Sequence, residues 1–95
     1  MIQITVVVKV SPKKQEEFFQ TIEDLRECRR EETNVKRFEI HQGVDDPSVF
    51  SLIGQWEKDD DLWDYLNGET FRVFRGAIIT LCERSEVRYS RVSEI

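Results

Sequence analysis

Aromatic side chains are the residues of this chain best suited to hold a flat ligand. Ligand pockets are lined mainly by apolar and aromatic side chains, and a glycine in a central strand leaves room for a ring. The predicted binding group is Trp56, Tyr65, Phe38, Phe71, Phe74 and Gly54. The same residues would also make an ordinary core, with Gly54 admitting a neighbouring ring, so both interpretations stay open.

Residue types that bind metals are present, but their spacing is unsuitable. Asp59, Asp60 and Asp61 are consecutive, and consecutive side chains of a helix point in different directions. We expect them to cap a helix and interact with its dipole. Cys28 and Cys82 fall on predicted helices without the spacing of a zinc or redox pair, so we expect buried, reduced thiols. The sequence predicts no metal site.

Length and composition indicate one globular domain over residues 1–95, with 39% hydrophobic and 35% charged residues. The net charge of −5 disfavours nucleic acid as a partner, because cationic side chains must replace the counterions of the phosphates. No apolar run approaches the roughly 20 residues that cross a bilayer, and residues 1–10 do not resemble a targeting segment. We therefore expect no membrane association and a cytoplasmic location.

The hydrophobic periodicity predicts the element order βαββααβ. The predicted strands cover residues 2–10, 35–42, 49–56 and 86–92, and the three helices follow Ser11-Pro12, the three aspartates and Gly68. Ser11 and Thr70 are the expected N-cap residues. Gly43 and Gly68 are expected to tolerate unusual backbone dihedrals at turns.

This order predicts an α+β, ferredoxin-like fold, in which a four-stranded antiparallel sheet carries its helices on one face. Even-numbered side chains of the two central strands should face the helices. On the other face, Val7, Val49 and Ile53 should form a small apolar cluster, bordered by Thr5, Ser51, Gln55 and His41. More apolar surface than a wetted sheet face needs indicates a homodimer through this face. The alternative is a monomer with scattered surface valines.

Residues 2–92 resemble the antibiotic biosynthesis monooxygenase domain family of dimeric α/β-barrel proteins. The resemblance is carried by VVVKVSPKKQEEF, by VDDPSVF followed by GQWE, and by LNGETFRVF. It implies a dimer whose two sheets form a barrel, with a pocket between sheet and helices in each subunit. It also implies oxidation of polycyclic or quinol-like aromatics by O2 without flavin, haem or metal.

A proton acceptor is the component that this resemblance does not supply. Family members often carry a histidine near the position of Thr70, whereas the only histidine here, His41, belongs to the sheet face opposite the helices. Polar groups that could reach a substrate are Glu69, Tyr65, Arg75 and Tyr89.

Two functions therefore remain open. The first is a cofactor-independent monooxygenase acting on a small hydroxylated aromatic or quinol. The second is a noncatalytic barrel that binds a small apolar metabolite or serves as a structural module. A haem-degrading relative would need an axial histidine on a helix, and an RNA-recognition motif would need exposed sheet aromatics; this sequence has neither.

Overall fold

A four-stranded antiparallel sheet covered on one face by three helices makes up the computed structural model, which describes residues 1–29 and 34–92. The strand order is β2-β3-β1-β4, so β3 lies between β1 and β2. This confirms the predicted α+β, ferredoxin-like fold. In chain order the elements are β1 (Ile2–Val10), α1 (Gln15–Arg29), β2 (Val35–Gln42), β3 (Val49–Trp56), α2 (Asp59–Asn67), α3 (Glu69–Leu81) and β4 (Cys82–Arg91).

The two central strands alternate between a buried and a partly exposed face, as predicted. In the register of β1 with β3, Val6 pairs with Leu52 and Val8 with Phe50, and all four side chains are buried against the helices. The intervening odd-numbered residues of both strands are partly exposed. The helix layer therefore covers only the even-numbered side.

Helices α1 and α3 bury the apolar stripes that their periodicity predicts. Phe18, Ile22 and Leu25 are buried on α1, and α3 buries Phe71, Phe74, Ile78 and Leu81. On the exposed side of α1, an Arg26 nitrogen lies 3.0 Å from a Glu23 oxygen, a pair worth only a few tenths of a kcal/mol. The expected partner of Glu27, Arg30, and the Cys28 side chain lie outside the described part of the chain. None of the described helices has the length and apolar character needed to cross a membrane.

The start of α1 differs from the prediction. Pro12–Lys14 forms a short 3-10 turn and α1 begins at Gln15, while the Ser11 side chain makes no capping hydrogen bond. Instead, the Ser11 carbonyl accepts a hydrogen bond from the Lys14 amide at 2.8 Å. Ser11 is thus the N-cap residue of this turn and is followed by Pro12, as predicted, but its side chain does not provide the cap.

Neither Gly43 nor Gly68 adopts the unusual backbone dihedrals predicted for these turns, since no described residue has a positive φ. A Cβ on Gly43 would lie 2.6 Å from the Asp46 carbonyl oxygen, so close backbone approach requires glycine there. Gly68 is extended, with φ −79° and ψ 168°, and α3 begins at Glu69. Thr70 therefore lies within the first turn of α3, and its predicted capping role is wrong.

Strand β4 begins immediately after α3, four residues earlier than predicted. Val10 pairs with Cys82, and the Ser11 amide donates to the Leu81 carbonyl at 3.0 Å. Pairing with β1 thus continues to the end of α3 and overrides the helical periodicity. Cys82 is a half-buried, free thiol at the start of a strand, which corrects its prediction as a buried helical residue. Burial raises the pKa of its thiol.

Candidate functional site

The predicted aromatic residues form one continuous cluster beneath the helices. The ring centroids of Tyr65 lie 5.0 Å from Trp56, 5.6 Å from Phe71 and 6.4 Å from Phe38, and Phe71 lies 6.3 Å from Phe74. These distances are typical of packed aromatic pairs. Trp56, Tyr65, Phe71 and Phe74 are all buried, and Phe38 is half-buried. The five rings are therefore connected by contacts through Tyr65 and Phe71.

The indole of Trp56 occupies the space where a side chain of residue 54 would lie. A Cβ built on Gly54 would lie 2.7 Å from Cη2 and 2.8 Å from Cζ3 of that indole. Both residues are on the helix side of β3, two positions apart, and the ring folds back along its own strand. In this conformation the room that the glycine provides is filled by protein.

A small cavity lies beside this cluster, where α2 meets α3. Its volume is about 170 Å³, and it is lined by Asn34, Trp56, Asp61, Asp64, Tyr65, Gly68, Glu69 and Thr70. This volume is below the roughly 300 to 1,000 Å³ of typical ligand pockets. The cavity combines two aromatic side chains with several oxygen atoms that accept hydrogen bonds.

A larger groove of about 400 Å³ lies between α1 and α3. It is lined by Thr21, Asp24, Leu25, Glu69, Thr70, Val73 and Phe74. Glu69 and Thr70 border both spaces, because they form the first turn of α3 between the α2–α3 junction and α1. We use the term junction site for the cavity and the groove together.

The junction site includes only part of the predicted binding group. Trp56 and Tyr65 line the cavity and Phe74 lines the groove, whereas neither lining includes Phe38, Phe71 or Gly54. Whether the whole group binds a ligand stays a prediction. The residues of this group do lie close together, as the alternation in the strands and the apolar stripe of α3 predict.

Two of the polar candidates are placed outside the junction site. The guanidinium carbon of Arg75 lies 5.1 Å from the centroid of the Phe71 ring, a cation–π geometry. Tyr89 packs on Trp63, with centroids 6.2 Å apart, and both rings are about half exposed. Of the four polar candidates, Glu69 and Tyr65 are the ones that reach the cavity.

His41 lies on the sheet face away from the helices, as predicted. Its Nε2 atom is 3.4 Å from Oε1 of Glu39, and Glu39 also accepts a hydrogen bond from Arg37. These hydrogen bonds, that from Arg37 first, lower the pKa of the Glu39 carboxyl group. His41 therefore belongs to a polar group on the open face and not to the junction site.

The three aspartates occupy the first turn of α2, but they do not cap it with a side-chain hydrogen bond, because Lys58 is the N-cap residue. Two of them are engaged elsewhere: Asp61 accepts a hydrogen bond from Asn34 at 3.3 Å, and Asp59 pairs with Arg91. Within residues 1–29 and 34–92, no group of three or more His, Cys, Asp or Glu side chains is arranged to hold a metal ion.

A comparison with protein families identifies the fold's relatives. The model of the family described as antibiotic biosynthesis monooxygenase matches residues 1–77, which is more than half of the chain. The chain belongs to the antibiotic biosynthesis monooxygenase family. The matched region includes every residue that lines the junction site. No curated protein matches the sequence of this family member.

Solved structures resemble this family member in fold. A conserved protein from Methanosarcina mazei has a TM-score of 0.88 at 17% identity, with 97% of this chain and 92% of that chain covered. A protein described as antibiotic biosynthesis monooxygenase also has a TM-score of 0.88 at 17% identity, covering 99% and 100%. A Pseudomonas aeruginosa protein reaches 0.82 at 22% identity, covering 97% and 94%. At these identities the likeness shows the fold alone.

Several lining residues of this monooxygenase-family chain were not predicted from sequence. Asn34 precedes β2, whereas Asp61 and Asp64 are on α2, so these residues meet only after α2 packs on the sheet. Asp61 was interpreted as a helix-capping residue, and Thr70 as the cap of α3. Their polar types carry no local signal of a cavity, so only the packing of α2 against α3 identifies them.

The open sheet face of the family member has the predicted residues but a mixed character. The register pairs Thr5 with Ile53 and Val7 with Ser51, and His41 also lies opposite Ser51. A shallow groove of about 440 Å³ crosses one end of this face, lined by Val7, Val8, Lys9, Val49, Arg84, Ser85 and Glu86. The apolar side chains of this face, Val7, Val49 and Ile53, are thus separated by polar ones, and these three are partly exposed.

Proposed function

We propose that this protein is a cofactor-independent monooxygenase that oxidises a small hydroxylated aromatic or quinol at the junction site. Family membership supports a monooxygenase at the general level. The proposed location of the reaction is supported by one observation: Trp56 and Tyr65 border the same cavity as Glu69 and Thr70. Rings for positioning an aromatic and oxygen atoms for handling its proton are thus adjacent.

The proposed reaction assigns a proton acceptor and a stabilising hydroxyl group. The carboxylate of Glu69 accepts the proton from the substrate, and the Thr70 hydroxyl donates a hydrogen bond to the oxygen on which negative charge develops. The substrate anion then reduces O2 and combines with it to give a hydroperoxide. Loss of water leaves a carbonyl group. One oxygen atom ends in the product and the other in water, and the substrate supplies all four electrons. In an anthrone the CH2 carbon becomes the carbonyl carbon, whereas in a hydroxyaromatic the ring C–H carbon that binds O2 and the C–OH carbon both become carbonyl carbons.

We also propose a homodimer through the open sheet face. Val7, Val49 and Ile53 are partly exposed there although each lies on a central strand, and a second copy would remove them from water. The half-exposed Glu39 and His41 would lie at the rim of such a contact. In this arrangement the helices, and with them the junction site, stay accessible on the outside of each subunit.

Oxygen uptake by the purified chain with dihydroxynaphthalene and anthrone-type substrates tests the oxygenase. Thr70→Phe places a ring where both spaces meet and should abolish uptake. Thr80→Phe is the matched control, because Thr80 is exposed on the same helix and is absent from both linings. Equal uptake by the two variants would place the reaction elsewhere.

A noncatalytic binding module is the second candidate, and one observation favours it. The indole of Trp56 already fills the space above Gly54, so the predicted ring-binding group is packed in the absence of a ligand. This alternative predicts saturable binding of aromatic compounds at the junction site. Binding without oxygen uptake over the whole substrate panel would support it against the oxygenase.

A further inference from the structure

Acidic side chains line both parts of the junction site. Asp61, Asp64 and Glu69 border the cavity, and Asp24 and Glu69 border the groove. Among residues 1–29 and 34–92, neither lining includes a Lys, Arg or His residue. These four acidic residues come from three helices, so their common location follows from tertiary packing and not from one acidic run.

Two arginines of the neighbouring elements are engaged with other groups. Arg91 pairs with Asp59 at 3.2 Å, and Arg75 lies over the Phe71 ring. Within the described part of the chain, two of these carboxylates accept hydrogen bonds from neutral amides, Asp61 from Asn34 and Asp24 from Gln20. A neutral donor leaves the charge of the carboxylate in place.

A negative lining acts on any charged ligand. Clefts of one sign with low-dielectric walls focus the field and concentrate ligands of opposite charge, and the effect falls as salt screens it. Trp56 and Tyr65 add aromatic rings to the same wall, and the faces of such rings also attract cations. The aromatic and the acidic part of the lining thus favour the same type of ligand.

The lining also affects the proposed chemistry. Like charges nearby disfavour an anionic form, so the carboxylates oppose formation of the substrate anion that must reduce O2. A positive group on the substrate would offset this repulsion. An aromatic carboxylate would add to it.

We infer that the junction site accepts neutral or positively charged hydroxyaromatics, with preference for those that carry an amine, and excludes aromatic carboxylates. This inference rests on the proposed function for its location, since it names the substrate class of the same site. It predicts a charge preference in binding that is independent of any oxygen chemistry.

Binding of two nearly isosteric, non-oxidisable probes, 2-naphthylmethylammonium and 2-naphthoate, tests the inference by tryptophan fluorescence titration at low salt. The cation should bind on the order of tenfold more tightly, and the difference should shrink as salt is added. Glu69→Lys should reduce or reverse the preference. Glu83→Lys, which makes the same charge change on exposed β4, is the matched control and should keep it. If Glu69→Lys does not fold, Asp64→Lys makes the same charge reversal in the cavity lining and replaces it in the test.

The outcomes separate this inference from the oxygenase proposal. Equal or tighter binding of 2-naphthoate, or a preference that Glu83→Lys removes as effectively as Glu69→Lys, would overturn the charge selectivity. Oxygen uptake with neutral dihydroxynaphthalene would still support the oxygenase in that case. Conversely, a salt-sensitive preference for the cation with no uptake by any substrate would retain the selectivity and reject the oxygenase.

Discussion

The indole of Trp56 lies directly over Gly54, so that a Cβ at Gly54 would approach the ring to 2.7 Å. The glycine and the tryptophan thus form one packing unit on the helix side of β3. Tyr65 from α2 closes this unit at 5.0 Å between ring centroids. Trp56 and Tyr65 also line the cavity of the junction site, so the core and the candidate site share these two residues.

Replacing Trp56 with alanine should cost about 3 to 5 kcal/mol of unfolding free energy, the usual range for large core residues. Trp56 is 1% exposed, and its removal leaves a void that the strand cannot close. Urea unfolding measures the loss. Trp63→Ala is the control, since Trp63 is 52% exposed, and should cost about 1 kcal/mol or less. A near-neutral effect of Trp56→Ala would mean that the indole mainly borders empty space.

Gly54→Ala should destabilise the protein by about 1 to 3 kcal/mol, because the new methyl group overpacks against the indole. Gly76→Ala provides a contrast on α3, where a Cβ would meet nothing within 4 Å. That substitution should stabilise the protein by about 0.5 to 1 kcal/mol, the cost of glycine within a helix. Thermal unfolding should therefore show a lower melting temperature for Gly54→Ala and a higher one for Gly76→Ala. A stabilising Gly54→Ala would contradict the packing of Trp56 described above.

Asp46 should contribute to stability in a pH-dependent way. Its carboxylate accepts hydrogen bonds from Lys9 Nζ at 2.8 Å and from the hydroxyl and amide groups of Ser48. These bonds, that from Lys9 first, hold the pKa of Asp46 well below its usual range. The contribution is therefore complete above the pKa of an unfolded aspartate, about 3.9, and is lost as the pH falls below it.

Asp46→Asn should lower the urea midpoint at pH 7. Between pH 5 and pH 3, the urea midpoint of this variant should then fall by less than that of the wild type. Asp45→Asn changes an exposed neighbour on the same turn and serves as the control. If the two variants showed the same acid dependence, the ion pair with Lys9 would not be the source of the effect.

Ile53→Lys should weaken the proposed dimer, because it places a charge in the centre of the open sheet face. Size-exclusion chromatography with light scattering gives the mass of each variant. Ile79→Lys is the matched control, since Ile79 is 77% exposed on α3 and lies on the opposite side of the molecule. An unchanged mass for a folded Ile53→Lys variant of a dimeric wild type would exclude contact through this face.

The predictions from sequence were most accurate where one face of an element is buried. The alternation in β1 and β3 predicted the covered side of each residue, because a shift by one position would expose the whole apolar set. The stripes of α1 and α3 were predicted for the same reason. The ends of elements were less accurate. Thr70 was misassigned because the helix already begins at Glu69, with the Gly68 carbonyl accepting from the Arg72 amide. Cys82 was misassigned because its pairing with β1 ends the helix before it.

The candidate site was predictable in its aromatic part and at Glu69, which was among the polar candidates and lines both spaces. Trp56, Tyr65 and Phe74 are apolar residues with clear periodicity, whereas Asp24, Asp64 and Asn34 are polar residues whose surroundings depend on other elements. Nothing local distinguishes a carboxylate beside a cavity from one on an open helix surface.

By itself, the sequence determined the element order, the buried face of each element and the family, since these follow from periodicity and from motifs within short segments. Only the tertiary structure decided that the indole of Trp56 fills the space at Gly54 and that four carboxylates from three helices line the cavity and the groove of the junction site. The physical reason is that the packing of α1, α2 and α3 brings distant positions within contact. Cavity volume and local charge are properties of those contacts.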